Sequence, residues 1–282
     1  MATPRLHLKL IKGQRFLFPT AGAGKPGKTL KEGKDGRGKK VPSSSARNLQ
    51  VTFFKSPRQI QGMRILLAGF ERWGPYRTNP AEQVVRALHG AKIAGAEVVG
   101  VVLPVDFRRL PGVLRSAIEK NRPDAVLTMG LSFRKLDRIL IETRARRVIR
   151  PLFPDNNGRY PNDARRPAHY DVTEGRQGPQ VRQSTLPVLR IQDALASAGI
   201  PVHVSRMAGG HMCEQMLYLG PHFMEELGLR GLAGHIHLPH SPSEAKDAKS
   251  TKSMPLPQIR RAVRIAVRET VAEARLIRHA ER

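Results

Sequence analysis

The sequence contains a single cysteine, Cys213, among 282 residues. One thiol excludes an internal disulfide framework and fits a reducing compartment, so a cytoplasmic location is expected. The sequence also has no run of about 18 apolar residues, which excludes a transmembrane helix. Its N-terminus lacks the basic start, continuous apolar stretch and small-residue cleavage site of a secretory signal. Acidic residues are scarce, with 23 Asp/Glu against 49 Lys/Arg and a formal net charge of +26. Such an excess suggests a nucleic-acid partner until its distribution is considered. Residues 1–62 hold 14 Lys/Arg and 2 Asp/Glu, so nearly half the excess sits in a short N-terminal part. That part lacks aromatic side chains interleaved with its basic run, and the remaining charges are dispersed.

The 40% of apolar residues is enough for a sizeable core. Little of it lies in residues 21–47, which are rich in Gly, Lys and Ser. A segment of that composition buries too little surface to offset its ordering entropy. A disordered basic extension is therefore expected over residues 1–62, with Met63 as an alternative start. Within it, Gly22-Ala-Gly-Lys-Pro-Gly-Lys-Thr29 fits the phosphate-loop pattern. That pattern needs a buried strand before it and a helix after it. Here Phe16-Leu-Phe-Pro19 is short and ends in proline, and the residues after Thr29 carry two glycines and no apolar face. We discount nucleotide binding there.

From Met63 onward, short apolar runs alternate with amphipathic stretches. Strands are expected at Arg64–Ala68, Ala96–Leu103, Ala125–Met129, Arg138–Glu142, Val202–Ser205 and Gly231–Leu238. Helices are expected at Pro80–Leu88, Leu110–Asn121, Leu186–Ala198, Met212–Leu227 and Pro257–Leu276. Helices between strands imply crossover connections and a sheet covered on both faces. The expected fold class is α/β, a single α/β/α sandwich over residues 63–282 with a mainly parallel mixed sheet. Residues 151–185 and 239–256 read as long loops. Active sites of such sheets lie at the carboxyl ends of strands. Phe70, Gly130, Glu142 and His237 fall at or near expected strand ends, and Cys213 follows one by a Gly-Gly turn.

Cys213 lies in Ser205-Arg-Met-Ala-Gly-Gly-His-Met-Cys-Glu-Gln-Met-Leu-Tyr218, where a helix is expected to begin. A thiol near a helix N-terminus meets the positive end of the dipole and unpaired backbone N–H groups, which favour thiolate. A buried core cysteine is the commoner outcome for such a residue. A cysteine nucleophile needs a base, usually histidine, and a group that orients the imidazole. His237 ends one apolar run and Glu142 another. Taken singly, His237 could be a hydrogen-bonded strand-end residue, and Glu142 could pair with Arg144, Arg146 or Arg147. His211, His235, His237 and His240 with Cys213 could also be read as a metal cluster. No carboxylate spacing supports that reading.

Together these segments resemble the pyroglutamyl peptidase I (pyrrolidone-carboxylate peptidase) family from residue 63 to about residue 275. Met63-Arg-Ile-Leu-Leu-Ala-Gly-Phe-Glu-Arg-Trp-Gly74 with Asn79-Pro-Ala81 is similar to the family's opening strand, its Gly-Phe-x-x-Phe-Gly turn and its Asn-Pro-Ala helix start. Arg122–Gly130 resembles the strand before its substrate loop, and Phe153-Pro-Asp-Asn-Asn-Gly158 its Ile-Pro-Asp-Asn-x-Gly. Twelve residues before Pro154 stands Glu142, at the place of the family's catalytic glutamate. Ser205–Tyr218 resembles the nucleophile segment. Ala233-Gly-His-Ile-His-Leu-Pro239 resembles Ala-Gly-Phe-x-His-Ile-Pro.

The resemblance implies a catalytic set of Cys213, His237 and Glu142, with Phe70, Trp73 and the main chain at Leu131 as substrate-binding elements. It implies a cysteine-type omega peptidase that removes N-terminal pyroglutamyl residues, with no metal or other cofactor. The expected partner is a small peptide with an N-terminal pyroglutamate. Neither nucleic acid nor a membrane is expected as a partner, and a homo-oligomer is compatible with the sequence. The departures lie around the pocket. The family's Gly-Gln-Ala-Gly-Gly-Arg is here Gly130-Leu-Ser-Phe-Arg-Lys135. Ser-Asn-Thr-Ala-Gly-Thr is Ser205-Arg-Met-Ala-Gly-Gly210. The arginine before Ile-Pro-Asp-Asn is Leu152, an asparagine after the glutamate is Arg147, and the second pocket aromatic is Trp73. The alternative reading is a catalytically idle or re-specialised relative that binds rather than cleaves, its basic tail contacting nucleic acid or acidic surfaces.

Overall fold

A computed structural model describes residues 6–11, 14–19 and 62–280. Leu6–Ile11 and Gln14–Pro19 pair as an antiparallel hairpin, in register from Leu6 opposite Pro19 to Ile11 opposite Gln14. The expectation of disorder for the rest of residues 1–62, and the phosphate-loop match within it, lie outside the described residues.

The central sheet has seven strands: β1 (Arg64–Phe70), β2 (Lys92–Ile93), β3 (Ala96–Leu103), β4 (Ala125–Leu131), β5 (Ile139–Glu142), β6 (Val202–Ser205) and β7 (Leu232–Leu238). Their spatial order is β6-β5-β7-β4-β1-β3-β2. All neighbours run parallel except β5 against β7 and β2 against β3. Every residue of β4, β5 and β7 is buried, as continuous apolar runs in a covered sheet require. Among the described residues, six helices accompany the sheet: α1 (Pro80–Leu88), α2 (Leu110–Asn121), α3 (Val188–Ser197), α4 (Met212–Glu226), α5 (Pro242–Asp247) and α6 (Leu256–Ala280).

The pleat divides the core in two. Ile65, Leu67, Leu127, Met129, Ile141, Ile236 and Leu238 pack with α1, α3 and α6. Leu66, Ala68, Phe70, Val126 and Ala233 pack with α2 and α4. The architecture is thus α/β/α, with a mixed, mainly parallel sheet.

Asn79 caps α1: its side chain accepts from the Ala81 N–H at 2.9 Å, and Pro80 occupies the first turn, where no N–H is needed. The Asn79 amide also donates to the Glu71 carbonyl at 2.9 Å, tying the helix start to the turn after β1.

Two of the expected loops contain structure. In 239–256, Ser241 and Glu244 form a capping box that starts α5. In 151–185, Tyr170–Asp171 pairs with Val148–Ile149, Val181–Gln183 pairs with Arg144–Arg146, and Pro161–Asp163 makes a 3-10 turn. No helix of the described residues is long and apolar enough to cross a membrane.

Candidate active site

The same alternation that builds two apolar layers puts polar groups on one side of the central strands. In β5 and β7, the residues between the apolar ones are Glu142, His235 and His237, all buried and on the α4 side. β5 runs antiparallel to β7, with Glu142 opposite His235 and Leu140 opposite His237. Glu142 therefore reaches His237 across a diagonal pair, not by sharing the carboxyl edge of a parallel sheet. The His237 Nδ1–H donates to Glu142 Oε1 at 2.8 Å, and the Glu142 side chain is fully buried. None of Arg144, Arg146 and Arg147 takes Glu142. Arg146 pairs with Glu214, Arg147 with Asp171, and Arg144 donates to the Arg206 carbonyl. The Arg134 guanidinium stands 3.8 Å from Glu142 Oε1.

Charge complementarity here overrides burial. Burial alone would raise the Glu142 carboxyl, yet the hydrogen bond and charge of His237, with Ser205 and Arg134 behind them, lower it below the usual carboxylate value. Burial alone would lower His237. The charge and hydrogen bond of Cys213, then those of Glu142, raise it to about 10. The arrangement is built to hold an imidazolium against the Glu142 carboxylate and beside the Cys213 sulfur.

Cys213 enters from α4. Gly209 and Gly210 have φ of +100° and +72°, so the chain turns through left-handed conformations that favour glycine just before the helix. Glu214 fixes this junction. Its buried carboxylate accepts from Gly210 N–H at 2.6 Å and from the Arg146 main chain and guanidinium at 3.1 and 2.8 Å. Cys213 is thus held in the first turn of α4, where its backbone N–H is free of the intrahelical ladder. The donor atoms of Cys213, His235 and His237 all lie within 4.8 Å of one another. Gly130 makes room for the sulfur. A Cβ at that position would sit 2.5 Å from Cys213 Sγ and 3.4 Å from His235 Nε2.

His235 has its own support. Thr128 Oγ1 donates to the Gly234 carbonyl at 3.1 Å and lies 2.8 Å from His235 Nδ1. With the hydroxyl proton used on Gly234, the network assigns the imidazole proton to Nδ1, leaving Nε2 with its lone pair. That Nε2 is buried without a hydrogen-bond partner. Burial, then the charge of His237, hold the His235 ring well below the ordinary value and so neutral. His211 and His240 stand apart from this group. The His211 Nε2–H donates to the Phe153 carbonyl at 3.0 Å, and His240 packs edge-on to Tyr76 at 5.2 Å.

Trp73 is ringed by Phe133, His211 and Phe153 at centroid distances of 5.2, 5.1 and 6.0 Å, His211 being two residues before Cys213. Its indole N–H donates to the Pro154 carbonyl at 3.2 Å. Asp155 accepts from the N–H groups of Asn157 and Arg159 at 2.9 Å each, folding the Pro154-Asp-Asn156 turn. The Asn156 amide reaches the Arg72 carbonyl at 2.8 Å, so this turn braces the one carrying Trp73. Phe70 is buried with the α2/α4 layer. The Leu131 side chain packs against Tyr76, separate from that layer.

A sequence profile described as pyroglutamyl peptidase matches residues 63–273. The chain belongs to the pyroglutamyl peptidase family. The pyrrolidone-carboxylate peptidase of Coprothermobacter proteolyticus is 39% identical over 211 residues, covering 74% of this chain and 97% of that protein. That of Thermococcus kodakarensis is 35% identical over 206 residues, covering 73% and 95%. Crystal structures of pyrrolidone carboxyl peptidase from Pyrococcus furiosus superpose with a TM-score of 0.69 at 31% identity, covering 75% of this chain and all of that one.

The structure brings Cys213, His237 and Glu142 together and packs Trp73 against His211. The sequence reading missed Arg134 and Thr128 as parts of the site, and it named His235 only within the metal-cluster reading. Arg134 sits in the altered loop after Gly130, 3.8 Å from Glu142 Oε1, and Leu152 is half exposed. The signal for Thr128 was faint: it is one polar residue inside an apolar strand.

Proposed function

We propose that this chain is a cysteine-type omega peptidase that removes N-terminal pyroglutamyl residues from small peptides. The observation that carries this reading is His237, bonded to Glu142 through Nδ1 and close to Cys213 on its other side. The Cys213 thiolate attacks the pyroglutamyl carbonyl carbon, and the negative charge develops on an oxygen near the Cys213 backbone N–H. The His237 imidazolium then gives its proton to the departing amine. Neutral His237 next draws a proton from water, which attacks the thioester and frees pyroglutamate and the thiol. Glu142 orients His237 and stabilises its charged form, with Arg134 behind it. Phe70 and Trp73 flank the flat, uncharged lactam, and the main chain at Leu131 reads its amide. No metal or other cofactor takes part in these steps.

The altered pocket does not favour a purely binding role, because the thiol, the imidazole and the carboxylate are in place together. The single thiol fits a reducing, cytoplasmic setting. Residues 63–282 form the peptidase domain, and residues 1–62 are a basic extension that turnover does not need. A chain starting at Met63 keeps its melting temperature and turnover. A cooperative loss of structure on that truncation would refute the division. The activity itself is tested with a fluorogenic pyroglutamyl amide beside a prolyl amide. Release from the first and not the second is expected. Equal release, or none from the pyroglutamyl amide, would overturn the substrate assignment.

A further inference from the structure

We propose that Cys213, His235 and His237 form a binding site for Zn²⁺ that reversibly silences the thiol. Three borderline-soft donors, one sulfur and two imidazole nitrogens, converge within 4.8 Å. A tetrahedral zinc ion sits about 2.3 Å from sulfur and about 2.0–2.1 Å from nitrogen, which places donors roughly 3.5 Å apart. Closing the trio onto an ion thus asks for a contraction of about 1 Å, within the reach of side-chain rotation.

His235 supplies the independent observation. Its Nε2 is fully buried and has no hydrogen-bond partner, an uncommon state for a polar atom in a packed core. The Thr128 hydroxyl, 2.8 Å from Nδ1, fixes the tautomer that leaves Nε2 as a lone pair. That lone pair lies over Gly130, on the spot where Cys213 Sγ also stands. Both histidines carry the outer support that zinc ligands use: His237 Nδ1 bonds a carboxylate and His235 Nδ1 a hydroxyl. Three protein donors leave a fourth position open on the substrate side for water or a small anion. His235 takes no part in the peptidase steps above, and the family's Ala-Gly-Phe-x-His segment has phenylalanine at its place.

On binding, the sulfur and both Nε2 lone pairs coordinate the ion, and the proton held by His237 leaves to solvent. A zinc-bound sulfur is a poor nucleophile, and His237 can no longer protonate an amine. The silencing rests on Cys213 being the nucleophile; the binding does not, so the two are measured separately.

Binding is read on the full-length protein with Co²⁺ as a spectroscopic stand-in and Zn²⁺ as competitor. The expected result is one equivalent of Co²⁺ with a thiolate-to-metal charge-transfer band. Zn²⁺ displaces it, a chelator abolishes it, and prior alkylation of Cys213 prevents it. His235→Phe, the family's residue, weakens binding by about 100-fold or more. Thr128→Val, which frees the tautomer, weakens it by about ten-fold. Absence of a charge-transfer band in the wild-type protein would overturn the proposal. So would unchanged affinity in a folded His235→Phe protein, or in Thr128→Val should His235→Phe fail to fold. In the pyroglutamyl assay, Zn²⁺ inhibits at the concentration that fills the site and a chelator restores turnover. Binding as described without any pyroglutamyl turnover would leave the metal site standing and remove the substrate assignment.

Discussion

The two faces of β4, β5 and β7 carry alternate residues of the same strands and do different work. Toward α1, α3 and α6 they present Leu127, Met129, Ile139, Ile141, Ile236 and Leu238, a dry apolar layer. Toward α4 they present Thr128, Gly130, Glu142, His235 and His237. Both faces bury apolar side chains, but the polar, reactive groups are confined to the one toward α4, which they share with Val126 and Ala233. Because the side-chain period of a strand is two, the apolar face fixes the register that aims the polar one. A one-residue slip of β7 would turn both histidines away from Cys213.

The separation can be broken first at the thiol. Cys213→Ser is expected to lower turnover of a pyroglutamyl amide by at least about 10⁴-fold while the melting temperature stays close to wild type. Unchanged turnover would remove the thiol mechanism.

The next largest effect is expected for Glu142→Gln, with turnover down by about 10²- to 10⁴-fold. The pH profile sharpens this. His237 is raised above its ordinary value, so the imidazolium persists through neutrality and is lost only as pH climbs toward about 10. Its stabilising contribution is whole below about 6.5 and fades as pH rises through the folded value. Glu142 is lowered, so its contribution is present above its ordinary value and is lost as pH falls through the folded one. In a chelating buffer, the alkaline limb of kcat/KM should lie well above pH 6.5 in wild type and move down in Glu142→Gln. An unmoved limb would mean that the carboxylate does not set the imidazolium.

A matched pair probes the faces directly. Gly130→Ala puts a methyl group 2.5 Å from Cys213 Sγ, and displacing the sulfur by about 1 Å should cost on the order of 10²-fold in turnover. Ile236→Ala, on the opposite face, should cost about 2–5 kcal/mol of stability with near-normal turnover per folded molecule. Urea unfolding beside active-site titration checks both. The smallest effect is expected at Trp73. Its loss in Trp73→Ala removes ring contacts worth about 0.5–1.5 kcal/mol, so kcat/KM falls several-fold, while Trp73→Phe is mild.

The division between the faces also explains what the sequence disclosed. Apolar runs such as Arg64–Phe70 and Leu232–Leu238 are legible because burial on both faces leaves a continuous hydrophobic signal. The α6 stripe from Ile259 through Ala262, Ala266 and Val267 to Ala274 is legible because one face of a long helix repeats. Cys213, His237 and Glu142 were legible as residues within motifs. Strand direction was not: Ile139-Leu-Ile-Glu142 reads the same up or down, yet the short connection through residues 132–138 reverses β5 against β4 and β7, and the long excursion through residues 143–201 brings β6 back parallel to β5. The strands between 144 and 183 are two or three residues long with several exposed side chains, too short to show a period. The clamp of Glu214 on Gly210 and Arg146 joins segments 68 residues apart, which no local pattern reveals.

In the proposed chemistry, the polar face arms Cys213 to attack a pyroglutamyl carbonyl. Acid quench of the reaction during the first turnover, followed by mass analysis of the peptide bearing Cys213, tests it most directly. A pyroglutamyl group is expected on Cys213, building before steady state and disappearing as pyroglutamate is released. Product formed with Cys213 unmodified throughout, or with the adduct on another residue, would contradict it.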